Sequence, residues 1–120
     1  MKAETFEDLV VWQSSMEIAV EVYRTFKDSK QFSLRDQILK SGLSIPSNIA
    51  EGFERGNDKE FSNFLRYAKG SAGETRTQLI FAKKIGLIDE EICICIINKI
   101  IIVSKQIQAL RNSIDRKIKN

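Results

Sequence analysis

Apolar residues recur at alternating intervals of three and four through most of the chain, and no other feature restricts its fold so tightly. Leu9, Trp12, Met16, Ala19, Tyr23 and Phe26 form one stripe. Phe61, Leu65, Ala68, Ala72, Thr75, Leu79 and Ala82 form a second, and Cys93, Ile96, Ile100, Val103, Ile107, Leu110 and Ile114 a third. This spacing places each set on one face of a helix, a face that another helix must cover. The Ile-rich start of the third stripe has strand propensity, but the repeat continues unbroken through Ile114, a length suited to a helix.

Punctuation between the stripes supports four helices. Thr5 with Asp8, Ser33 with Asp36 and Asn57 with Glu60 each pair a short polar residue with a carboxylate three positions on, the pattern of a helix start. The fourth helix opens at Asp89, with Glu90 and Glu91 at the positive end of its dipole. Gly86 follows the second stripe where a left-handed C-cap is needed. The second helix, Ser33 to Glu54, is irregular because the chain's single proline, Pro46, removes a donor and crowds the preceding turn. That predicts a kink between Gly42 and Pro46, at a cost of about 3 kcal/mol unless packing compensates. Gly42, Gly52, Gly70 and Gly73 each add about 1 kcal/mol relative to alanine, so close approach of the second and third helices is the expected compensation. With 120 residues, six glycines and 42% apolar content, the reading is one domain over residues 1–120. The expected fold is all-α: an up-down-up-down antiparallel four-helix bundle with a kinked second helix.

Composition removes several function classes. The chain has no histidine, and no nucleophile stands beside a base, so the reading is non-enzymatic, with no catalytic residue, metal or cofactor. Cys93 and Cys95 are two apart, point to different helix faces and cannot bridge each other, which reads as a reducing compartment. The N-terminus lacks an apolar signal core, and the apolar stretch Ile92 to Val103 is interrupted by Asn98 and Lys99. A soluble cytoplasmic protein without membrane association is expected. A net charge of +3 permits nucleic-acid binding without arguing for it.

Four groups of residues remain as candidate sites. The segment around Pro46 carries Asn48, Glu51, Gly52 and Arg55, opposite Gly70, Ser71 and Glu74 on the third helix. Two carboxylates there are compatible with acid–base chemistry, or with a structural role in which they accept from Ser, Asn, Arg55 or Arg66 and set the register of two helices. Val10, Val11 and Ile18 on the first helix and Ile94, Cys95, Ile101 and Ile102 on the fourth stand beside the core stripes and predict a joint outward patch for self-assembly. A splayed bundle would instead draw them into the core. Lys69, Arg76 and Lys83 recur every seven residues on the third helix, with Arg35 and Lys40 on the second. This row reads either as a phosphate-backbone contact or as a solvated flank. The basic tail, with Lys105, Arg111, Arg116, Lys117 and Lys119, is expected beside the acidic start of the first helix, Glu4, Glu7 and Asp8, and neutralised by it.

Taken together, Phe6 to Gln13, Gln37-Ile38, Ser44 to Gly52 with Arg55, Phe61 to Leu65, Gly70-Ser71, Glu74 and Gln78-Leu79 resemble a known pattern. It is that of the bacterial four-helix-bundle proteins linked to intervening sequences in 23S ribosomal RNA genes, also labelled S23 ribosomal proteins. The resemblance covers roughly residues 6 to 110. It implies a homo-oligomeric ring, commonly of five copies, with ribosomal RNA or a protein as possible partners. In fold it extends more distantly to the accessory protein of diversity-generating retroelements, a pentameric bundle that engages a reverse transcriptase and nucleic acid. Many members resembling this chain carry consecutive arginines before the Ser-Ile-Pro segment, where this one has Leu39-Lys40-Ser41. On this chain, then, the resemblance implies a weaker basic surface on the second helix.

Overall fold

A computed structural model of the chain describes residues 2–119. A 3-10 turn, Phe6–Asp8, precedes four helices: α1 Val10–Phe26, α2 Phe32–Glu54, α3 Asp58–Lys84 and α4 Glu90–Lys119. Each helix packs on the next and α4 returns to α1, while among the described residues the backbones of the diagonal pairs stay more than 8 Å apart. Cross-helix bonds run in opposite directions along neighbouring helices. Ser41 meets Gln78 while Ser44 meets Ser71, and Lys69 meets Gln108 while Lys83 meets Glu90. The result is an up-down-up-down antiparallel bundle measuring 50 × 22 × 20 Å.

The α3 and α4 stripes form the core largely as their spacing requires. Leu65, Ala68, Ala72, Thr75, Leu79 and Ala82 are buried against Cys93, Ile96, Ile100, Val103, Ile107 and Ile114. Phe61 and Leu110 lie at its margin. By length and composition α4 is apolar enough to cross a membrane, and here that inward row serves as bundle core. The α1 stripe is displaced by about one position. Its inward row is Val11, Ser15, Ile18, Val22 and Phe26, with Ala19 at the edge, whereas Tyr23 is 54% exposed and Trp12 and Met16 are half-buried. Val11 and Ile18, at 6% and 2% exposure, are therefore core residues and not part of an outward patch. Large residues with a polar tip or flexible stem suit the helix margin, and compact β-branched ones fill the narrow interior.

The helix ends separate true caps from coincidental patterns. The Asn57 side chain accepts from the Glu60 amide at 2.8 Å, as its position predicts. Gly86, at φ +77°, closes α3: its amide bonds Lys83 and the Leu87 amide reaches Ala82, a Schellman arrangement. The Asp8 carboxylate accepts from the Glu4 and Thr5 amides, but it caps the 3-10 turn, and α1 starts only at Val10. Ser33 caps nothing. Helix α2 begins one residue earlier with Gln31 at its N-cap, and Asp36 bonds Arg35 instead.

Helix α2 runs unbroken through Pro46, which is buried. Proline brings no N–H to the Gly42 carbonyl one turn back, so packing must offset that loss. The glycines divide sharply. A Cβ at Gly52 would sit 2.5 Å from the Phe64 Cβ, and one at Gly42 would touch Val22 of α1 at 3.6 Å. Gly70 and Gly73 have nothing within 4 Å, so the close α2–α3 approach belongs to Gly52 and not to Gly70.

Candidate functional site

Helix α3 has two unlike edges. Toward α2, Thr75 donates to Ser41 at 2.8 Å, Ser41 donates to Gln78 at 2.6 Å, and the Ser44 and Ser71 hydroxyls are hydrogen-bonded at 2.8 Å, either one able to donate. Asn48 donates to the Ser44 carbonyl and hydroxyl. Ser41 and Thr75 are buried, and among the described residues no buried side-chain polar atom lacks a partner. Small hydroxyl residues let the helices approach and pair with each other across the seam, which fixes register.

The carboxylates assigned to this seam are not in it. Glu51 binds Arg55 on its own helix at 2.9 Å, which raises the Arg55 pKa, and the Arg55 guanidinium lies 5.0 Å from the Phe64 ring centre. Glu74 is exposed, and Arg66 stacks on Tyr67. Of the expected set, Ser71 bonds Ser44 across the interface, Gly52 lies against Phe64 and Arg55 over its ring, while Asn48 supports Ser44 from its own helix. Ser41, Thr75 and Gln78 complete the interface. The signal for them was the row of small polar residues on the facing edges of two helices, of which Thr75 had read as plain core.

Toward α4, α3 borders an open groove of about 400 Å³. Lys69 and Arg76 stand on one wall, and Ile101, Ser104, Lys105, Gln108, Ala109 and Asn112 on the other. Lys69 Nζ donates to Gln108 Oε1 at 2.9 Å, and Gln108 Nε2 donates to Asn112 Oδ1 at 2.8 Å, so two carboxamides line up behind the ammonium. Among the described residues no carboxylate lies within ion-pair distance of Lys69, Arg76 or Lys105. Three cations without a counter-charge among the described residues face an open trough, and an anion is the ligand that such a trough favours.

The other predicted cations are placed differently. Lys83 pairs with Glu90 at 3.1 Å where α3 turns into α4. Arg35 binds Asp36 and lies over Phe32, and it shares α2 with the exposed Lys40, the helix diagonal to α4. Lys105 stands on the groove wall and not beside the acidic N-terminal turn that its place in the basic tail implies. The acidic turn instead packs on α1 and α2, and Arg111 and Asp115 both bond Ser62 of α3. The signal for Lys105 was its heptad step from Asn98 and Asn112, on the side of α4 that neighbours α3.

Apolar exposure also lies partly elsewhere than expected. Val10, Ile94 and Ile102 are 61%, 50% and 58% exposed, Cys95 is exposed and Ile101 half-buried. They do not make one continuous strip: Ile101 borders the basic groove, while Ile102 lies beside Ser14 and Glu17 of α1, where Lys99 bridges to Glu21. A second apolar groove, absent from the sequence reading, runs between α1 and α2 along Met16, Ala19, Val20, Tyr23, Leu39 and Leu43. Cys93 is buried against the Leu79 carbonyl, and burial pushes its thiol pKa up. Among the described residues no three His, Cys, Asp or Glu side chains converge in a metal-binding cluster.

Comparison with known proteins bears on these features. The family model for 23S rRNA-intervening sequence proteins matches residues 7–109. A crystal structure of a protein of unknown function from the S23 ribosomal protein family of Bacteroides thetaiotaomicron VPI-5482 is similar, with a TM-score of 0.81 and 30% identity over 85% of this chain and 98% of that one. No curated protein matches. The span of the family match and the similarity in fold agree, and the chain belongs to the 23S rRNA-intervening sequence protein family.

Proposed function

We propose that this protein is a non-enzymatic, self-assembling cytoplasmic bundle that associates with nucleic acid, ribosomal RNA in the first instance, through the α3–α4 groove. The observation that carries this is the set of Lys69, Arg76 and Lys105 around one open trough without a carboxylate partner among the described residues. A phosphate backbone supplies the missing charge, and released counterions supply the driving force. The family's association with 23S rRNA intervening sequences supports the choice of RNA. Assembly into a ring, as the family resemblance implies, would repeat the groove around its circumference, so that a net charge of only +3 per chain still gives useful affinity by avidity. Replacing Lys69, Arg76 and Lys105 by Gln should lower RNA retention at low salt and leave helicity and particle size unchanged. Full retention by that variant would remove the groove from the account.

A second reading has its own observation. The α1–α2 groove is lined almost wholly by apolar side chains, with Tyr23 and Leu43 more than half exposed, a surface suited to a protein helix. In this reading the bundle is a scaffold or accessory subunit. Two variants separate the readings: in this second one Leu43→Asp should abolish binding of the protein partner and replacing Lys69, Arg76 and Lys105 by Gln should leave it intact, whereas in the first the Gln variant loses RNA retention.

A further inference from the structure

We infer that the ligand of the α3–α4 groove is double-stranded RNA held by its backbone, not a single strand; this rests on the reading of that groove as a nucleic-acid site. Proteins that hold single strands without sequence preference combine cations with aromatic rings on which bases stack. None of the side chains lining this groove is aromatic. The exposed ring nearest in sequence, Tyr67, is engaged edge-on with Phe64 and covered by Arg66. A single strand entering the trough would lose chain entropy and gain no stacking.

The cations also have a preset spacing. Lys69 and Arg76 are two turns apart on one helix, about 10.5 Å along its axis, and Lys105 stands on the opposite wall. The two walls are fixed to each other at both ends, by Ser62 with Asp115 and Arg111 at one and Lys83 with Glu90 at the other. A rigid row of charges suits phosphates that are already held at fixed spacing, as in a duplex. Besides the cations and the apolar Ile101 and Ala109, the lining groups are a hydroxyl, Ser104, and the carboxamides of Gln108 and Asn112. Each both donates and accepts, which matches the 2′-hydroxyls that line the wide minor groove of A-form RNA.

The test is fluorescence anisotropy of the intact protein with a labelled RNA hairpin and with an unstructured RNA strand of the same number of nucleotides. The hairpin should bind about tenfold tighter at low salt, and replacing Lys69, Arg76 and Lys105 by Gln should remove that preference. Tyr67→Ala should leave hairpin binding unchanged. Equal or tighter binding of the unstructured strand, or loss of binding on Tyr67→Ala, would overturn the duplex inference while leaving the groove as a nucleic-acid site. Binding of neither RNA would overturn the functional reading itself.

Discussion

The two edges of α3 use polar groups in opposite ways. On the α2 side, Ser41, Ser44, Ser71, Thr75 and Gln78 are short or medium in reach, lie largely out of water and satisfy one another. On the α4 side, Lys69, Arg76 and Lys105 are long, partly solvated and unmatched by carboxylates among the described residues. A satisfied buried polar group specifies how two helices meet and offers little to a visitor. An unmatched charge adds little to the fold and leaves its interaction energy available to a partner. Substitutions at the seam should therefore act on stability, and substitutions at the groove on binding.

Gly52→Leu should have the largest effect on the fold, because its first side-chain atom already overlaps Phe64. A loss of about 3 kcal/mol is expected in denaturant melts, and a melt like the parent's would show that α2 and α3 are farther apart than described. Next comes Ser41→Ala. It removes the two bonds that tie Thr75 and Gln78 to α2, but Thr75 still donates to the Ser71 carbonyl and Gln78 is half-buried, so a cost of about 1 kcal/mol is expected. Gly70→Ala should move stability the other way, by about 0.5–1 kcal/mol, since nothing occupies the space around it and alanine is the better helix former. A destabilised Gly70→Ala would restore Gly70 as a close contact.

The smallest effect concerns the Asp8 cap. Hydrogen bonds from the Thr5 and Glu4 amides hold its carboxyl below the usual aspartate range. A depressed folded-state pKa stabilises the folded form above the unfolded value, and that contribution is lost as pH falls through the folded one. Amide exchange at Glu4 and Thr5 should quicken in acid relative to the rest of the molecule, and Asp8→Asn should remove most of that pH dependence.

Much of this was legible from spacing alone, and the exceptions share a physical cause. The α3 and α4 core rows each run at unbroken three–four spacing along the whole helix, which the exposed apolar residues beside them, such as Ile94 and Ile102, do not, so the inward faces are readable. Helix α1 carries two adjacent rows, Val11-Ile18-Val22 and Trp12-Met16-Tyr23, and periodicity cannot say which fills a narrow core. At the α2–α3 seam the spacing points to Gly52 and Ser71, which face α3 and α2, but also to Glu51, Glu74 and Gly70, which do not, because sequence does not show what lies opposite a residue. Lys69 and Arg76 share one groove, as their heptad step implies. Lys105 was set aside because the direction in which the acidic N-terminal turn packs is a tertiary fact.

The most direct test of the division between a self-satisfied seam and an unmatched groove is the salt dependence of RNA binding in two variants of equal charge. One replaces Lys69, Arg76 and Lys105 by Gln, and the other replaces the exposed Lys30, Lys40 and Lys59, which lie outside the groove. The groove variant should flatten the slope of log affinity against log salt by roughly 2–3, and the control should keep the parent slope. Equal slopes in the two variants would show that net charge alone attracts RNA and would contradict the groove as the site.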